Sequence, residues 1–241
     1  MPEVAPAPTG PLDEPVRTAL RGAHAHLAEG VGSAVRYRPD VAPFLAEPRV
    51  AAEWADVATL VGPGHDTVVP AFGTLAPTGL EIGWVLPGVQ MVGDAVEGRP
   101  YPDLVRLGPA DVPAMRALVA RTRPGPFGPR TVEMGTYLGV VDDGELVAMA
   151  GERLHPPGYT EISAVCTDAA YRGRGLGTRL VLAVAAGIRD RGEVPFLHAA
   201  ADNVTAIRLY DELGFRVRAR PDFVALTVPS TTPARTSPAH T

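Results

Sequence analysis

The residues Val165-Cys166-Thr167-Asp168-Ala169-Ala170-Tyr171-Arg172-Gly173-Arg174-Gly175-Leu176-Gly177-Thr178 hold the densest chemistry in the chain. They read as a strand, a short loop and a glycine-rich turn that opens directly into a helix from about Leu176 to Asp190. Gly173, Gly175 and Gly177 remove side chains where a chain turns tightly or admits a ligand. The first amides of the helix have no partner inside it, and the helix dipole places partial positive charge there. Such an end suits a phosphate or pyrophosphate, and Arg172 and Arg174 add charge beside it.

Three phosphate-binding turns compete for this segment. The P-loop needs Gly-Lys before Ser or Thr, and the chain contains no lysine. The dinucleotide fingerprint needs a third glycine three residues after the second, where Thr178 stands. The remaining pattern, Gln/Arg-x-x-Gly-x-Gly/Ala, is matched by Arg172, Gly175 and Gly177. Taken alone, the same glycines also fit a plain helix-start turn.

A second constellation follows the helix. Phe196-Leu197-His198-Ala199-Ala200 reads as a buried strand, and Asp202-Asn203 as an N-cap pair. A short helix then carries Ile207, Tyr210 and Leu213 and stops at Gly214. The frame is Asn203-x-x-Ala206-x-x-Leu209-Tyr210-x-x-x-Gly214-Phe215. With both constellations in this order, residues 102 to 228 resemble the GNAT superfamily of acyl-CoA-dependent N-acetyltransferases.

The resemblance implies a function: transfer of an acetyl or short acyl group from acetyl-CoA to a primary amine, by direct attack in a ternary complex. It implies that Arg172, Gly173, Arg174, Gly175, Gly177 and Thr178 bind the pyrophosphate, with Asn203 in the same site. Val165, Cys166 and Thr167 would hold the pantetheine through their backbones, as an added strand does. Glu161, eleven residues before Arg172, is the candidate base, expected partly buried with a raised pKa; Glu152 is the reserve, and a water relay is an alternative. Tyr210 is the candidate acid toward the departing thiolate. The competing readings are a strand-end ion pair for Glu161 and a core aromatic for Tyr210. Cys166 has no evident His/Asp partner in the sequence and reads as a small buried apolar group rather than an acyl-carrying nucleophile. Two further functions stay open: a peptide or protein N-terminal acetyltransferase, and a non-catalytic acyl-CoA-binding regulatory module.

Four histidines carry weaker signals. His24 and His26, two apart, point to different faces of a helix; His155 lies beside Pro156-Pro157-Gly158 near the acceptor side; His198 reads as a satisfied core or crevice residue. No ligand spacing supports a metal.

The elements that must position these groups follow from pattern. Leu104–Leu107 is a strand, Pro109-Ala110-Asp111 starts a helix, and residues 123–129 form a loop. Tyr137–Val141 and Leu146–Leu154 make a hairpin around Asp142-Asp143-Gly144-Glu145, and Thr160–Thr167 is the strand that leads into the glycine loop. The expected fold is α/β (α+β): a GNAT-type mixed, mostly antiparallel central sheet flanked by helices, with an additional N-terminal α/β region. Its expected parts are a disordered tail at 1–11, an N-terminal region at 12–100 that could be a degenerate copy of the same fold, the acetyltransferase domain at 101–228, and a disordered tail at 229–241. Within the N-terminal region the pattern predicts helices at about 13–29 and 50–61 and strands near 34–37, 67–72, 80–86 and 89–92, with Gly98–Pro102 as a linker.

Composition narrows the partners. The net charge of −5 and the scatter of arginines along the chain argue against a nucleic-acid binder. One cysteine excludes an internal disulfide. The start lacks a signal-peptide pattern, and the longest apolar run is too short for a membrane span, so a cytoplasmic location is expected. A homodimer is compatible with all of this.

Overall fold

The computed structural model describes residues 10–230, so the expected tails lie outside the described residues except at their inner ends. In chain order the elements are α1 (Pro15–Leu20), β1 (Ala28–Val31), β2 (Ala34–Tyr37), α2 (Glu53–Val61), β3 (Asp66–Ala71), β4 (Glu81–Val92), β5 (Val105–Leu107) and α3 (Val112–Thr122). They continue with β6 (Tyr137–Asp142), β7 (Glu145–Glu152), β8 (Tyr159–Thr167), α4 (Leu176–Asp190), β9 (Val194–Ala200), α5 (Val204–Glu212), β10 (Arg216–Ala219) and β11 (Asp222–Thr227).

Nine strands form one sheet in the order β3-β11-β4-β9-β8-β7-β6-β5, with β10 paired to β4. Every pairing is antiparallel except β8 with β9. The mixed, mostly antiparallel sheet flanked by helices is the architecture expected from the sequence. Strand β4, from the N-terminal part, sits between β9 and the C-terminal strands β10 and β11. The sheet therefore interleaves strands from both halves of the chain and ends at β3 and β5.

Two N-terminal elements differ from the sequence reading. The helix expected at 13–29 stops at Leu20; a short 3-10 turn at Ala25–Leu27 and strand β1 follow. Gly22 interrupts the run, and His24 is drawn inward by tertiary bonds, which override the local helical pattern. The two strands expected at 80–86 and 89–92 are one, because Gly88 continues the ladder from β11 to β9.

Helix α4 buries Leu180, Val181, Val184, Ala185 and Ile188, a stripe at helical spacing, against β7, β8 and β9. The segment expected as a linker crosses this helix. Gly98 (φ 78°) lies where an added Cβ would stand 2.3 Å from Ala186 N, and the Arg99 amide donates to Leu182 O at 2.8 Å. Only glycine permits both that backbone angle and that approach.

Candidate active site

Strands β8 and β9 pair only from Tyr159–Ile162 against Val194–Leu197. Beyond Ile162 they part. A β-bulge drives the separation: Gly151 faces Ser163 and Met149 faces Cys166, leaving two residues of β8, Ala164 and Val165, opposite Ala150. Ala164 takes φ 53°, a left-handed value unusual for alanine, and marks the bend. The cleft between the strands holds two adjoining cavities.

One cavity, about 700 Å³, is lined by Val165, Cys166 and Thr167, by Arg172, Gly173, Gly175, Gly177 and Thr178, and by Asn203 and Tyr210. Of the residues expected to contact the cosubstrate, only Arg174 is missing from this lining; its guanidinium lies 4.7 Å over the Tyr171 ring and donates to Ala170 O. Gly173 (φ 76°) and Gly175 (φ 72°) turn the loop left-handed, and Gly175 is the N-cap of α4. No side chain caps the helix start, so its free amides face the cavity. Asp168 braces the loop by accepting from the Ala170 amide and from Arg121 Nε. Asn203 Oδ1 accepts from the Ala206 amide at 3.2 Å and so starts α5.

The second cavity, about 940 Å³, opens on the other side of the splay. Arg123, Pro124, Val165, Asn203, Ala206 and Tyr210 border both. Tyr210 is thus at the junction; it is buried, and burial pushes its hydroxyl up to about 12.

The carboxylate of Glu161 does not border either cavity. It is fully buried on β8, where Arg153 donates to it twice, Nε to Oε2 at 2.8 Å and Nη2 to Oε1 at 2.5 Å. His198 Nδ1 stands 2.7 Å from Oε1. Burial pushes the acid up, but Arg153 and then His198 more than offset it and hold it at about 2. The expectation of a partly buried carboxyl with a raised pKa is reversed, because its neighbours are a cation and a ring N–H rather than apolar groups. His198 is satisfied at both ends. With Nδ1 donating to Glu161, Nε2 accepts from the Gln90 amide at 3.2 Å. Gln90 in turn accepts from Arg218 at 2.9 Å.

The reserve candidate, Glu152, belongs to another cluster. Neighbours on a strand point to opposite faces, so Glu152 turns away from Arg153. It accepts from Arg191 Nη2 at 2.8 Å and from the Thr136 amide at 3.0 Å. His155 and His24 lie beside it with ring centroids 4.8 Å apart, outside both cavities. Among the described residues no group of His, Cys, Asp and Glu is arranged to hold a metal. Cys166 is buried, which raises its thiol pKa.

Arg153, Gln90 and the apolar lining of the larger cavity were not expected from the sequence. Gln90 had a signal, a lone polar residue inside an apolar strand, and Arg153 had another, a charge beside Glu152 at the end of an apolar run. The lining, Phe44, Trp84, Leu86 and Phe223, is drawn from segments far apart in the chain and had none.

A splayed parallel strand pair, a bulge at the mouth and a left-handed glycine turn at a helix start make up the acyltransferase geometry that the sequence resemblance implies. Residues 137–224 match the family model described as FR47-like protein. The chain is 42% identical to a GNAT-family protein of known structure from Novosphingobium aromaticivorans DSM 12444; the match covers 90% of this chain and 98% of that one, with a TM-score of 0.82. This chain belongs to the GNAT family. Curated relatives are more partial. N-alpha-acetyltransferase RimI of Mycobacterium tuberculosis is 39% identical over 83 residues, 33% of this chain and 51% of that protein. Mycothiol acetyltransferase of Corynebacterium glutamicum (strain R) is 39% identical over 77 residues, 32% of this chain and 26% of that protein. The matches thus span about a quarter to a half of these relatives. No helix among the described residues is long and apolar enough to cross a membrane.

Proposed function

We propose that this protein transfers an acetyl group from acetyl-CoA to a primary amine. The observation that carries this reading is the pair of cavities meeting at Tyr210, one floored by the glycine loop and the other remote from it. Two substrates entering from opposite sides would meet there, and holding them together removes much of the entropic barrier.

The residues present fit the cosubstrate. Free amides at the start of α4, with Arg172 beside them, suit a pyrophosphate. Cys166 and Thr167 stay paired with Met149 and Ala148 of β7, but beyond Ile162 the strand has no partner on the β9 side, so the backbone of Val165, Cys166 and Thr167 would offer donors and acceptors to an extended amide chain along that open edge. When bound, acetyl-CoA supplies an activated thioester carbonyl. A backbone N–H near Val165 would stabilise the oxyanion. Tyr210, protonated across the neutral range, would give its proton to the departing sulfur.

Glu161 takes a different part from a direct base. At neutral pH it is ionised, pinned by Arg153, His198 and the Leu154 amide and shut away from the cleft, so it holds Arg153 and His198 in place beneath the acceptor cavity. The ammonium proton of the acceptor would leave through water in the cleft.

The test is identification by mass spectrometry of an N-acetylated amine formed by purified protein with acetyl-CoA. A peptide acceptor is the second reading, favoured by the similarity to RimI. Peptides with free N-termini belong in the same panel.

A further inference from the structure

Alternation along the strands places Gln90, Leu86 and Trp84 of β4 on one face of the sheet. Cross-strand register adds His198 opposite Gln90, Phe223 opposite Leu86, and Ala225 opposite Trp84, with Val68 opposite Ala225 on the next strand. This is one continuous face. Near Gln90 it is covered: Gln90 donates to Leu12 O, and Phe44 packs near Phe223 with ring centroids 6.4 Å apart. Farther along β4 the cover ends. Trp84 is 50% exposed and Leu86 is 40% exposed; the opposite face is packed on β3 and β11 through Val69, Val224 and Leu226, whereas on β4 Val85 of that face is open as well.

The uncovered part is a wall of the larger cavity, which Trp84, Leu86, Phe223, Ala225, Val68 and Phe44 all line. An apolar surface of this kind, continuous with a reaction cleft, is a binding surface. Its flat aromatic members favour a planar apolar partner over a flexible polar one.

We propose that the acceptor is a primary amine carried on an aromatic ring or a comparably flat apolar group, and that Trp84 and Leu86 select it. The inference rests on the acetyl-transfer reading above and names its substrate class. The ring would lie on the β3–β11–β4 wall, and its amine would extend toward Tyr210. A polar amine of similar size would leave this wall wet and gain nothing from it.

The experiment compares 2-phenylethylamine, tryptamine, n-propylamine, spermidine and a short peptide as acceptors with acetyl-CoA, for the wild type and for Trp84→Ala. Calorimetric titration of CoA accompanies each protein. The expected result is kcat/KM for the aryl amines at least about ten-fold above n-propylamine, from the value of a filled apolar pocket. Trp84→Ala should erase that advantage with CoA affinity unchanged. Leu86→Ala should reduce it, which guards against a Trp84 variant that folds poorly. Equal rates on aryl and alkyl amines, or a preference for spermidine or peptide, would overturn this proposal and leave acetyl transfer standing. Failure to bind CoA and to acetylate any acceptor would overturn both.

Discussion

Arg153 grips Glu161 with two parallel hydrogen bonds, and the pair is buried beneath the larger cavity. Removing one partner strands the other charge away from water. Glu161→Gln should therefore destabilise the fold by about 3–5 kcal/mol, and the Glu161→Gln/Arg153→Met double variant should recover much of it. Thermal unfolding of the three proteins measures this. The sign with pH follows. The folded carboxyl at about 2 lies below its ordinary 4.5, so its contribution is whole above pH 4.5 and is lost as pH falls toward 2. Glu161 should not titrate in a rate profile between pH 6 and 9.

Tyr210→Phe should lower kcat by about 10²-fold or more while the KM for acetyl-CoA stays nearly constant. Because burial pushes the phenol up to about 12, an alkaline fall in the wild-type rate below pH 10 should persist in the variant. Initial rates across pH for both proteins test this.

The glycine loop separates binding from folding. An added Cβ at Gly175 meets nothing within 4 Å, yet its φ of 72° is strained for any other residue. Gly175→Ala should cost on the order of 1–2 kcal/mol in stability. It should weaken CoA by more than that cost, since the loop that aims the helix amides relaxes. Calorimetry against thermal unfolding distinguishes the two effects.

Cys166→Ala should keep most of the activity, because the thiol is buried and raised away from the reactive thiolate. Loss of turnover with an acetylated Cys166 in the wild type would instead establish a covalent route.

His24 is buried and neutral, bonded to the Tyr37 hydroxyl at 2.7 Å and to Met134 O at 3.0 Å. Burial first, and His155 second, pull its pKa down to about 4. The unfolded chain takes the proton earlier, near 6.5, so stability is full above that pH and falls as pH drops toward 4. The loss should be on the order of 2–3 kcal/mol. A shallower decline in His24→Gln, followed by denaturant unfolding at several pH values, would check it.

The strand–loop–helix around Arg172 and the cap at Asn203 were legible because local rules govern them: glycines at left-handed angles, an Asn that accepts from its own helix. The β6–β7 hairpin was legible from the Asp142-Asp143-Gly144-Glu145 turn between two apolar runs, and the mixed sheet from the GNAT resemblance. Three features were not. The insertion of β4 between β9 and β11 depends on pairing across more than a hundred residues. The electrostatics of Glu161 depend on Arg153 and His198, which only the fold brings together. The apolar wall of the larger cavity depends on a sheet face in which β11 joins β3 and β4 from the far end of the chain. Local pattern carries no information on any of these.

In the proposed reaction two substrates meet at Tyr210. Thiol release from acetyl-CoA, followed with a primary-amine panel present and absent, tests it most directly. Release should depend on the amine, yield one N-acetyl product per thiol, and fall sharply in Tyr210→Phe. Tight CoA binding with release that is absent, or that proceeds equally without any amine, would contradict it.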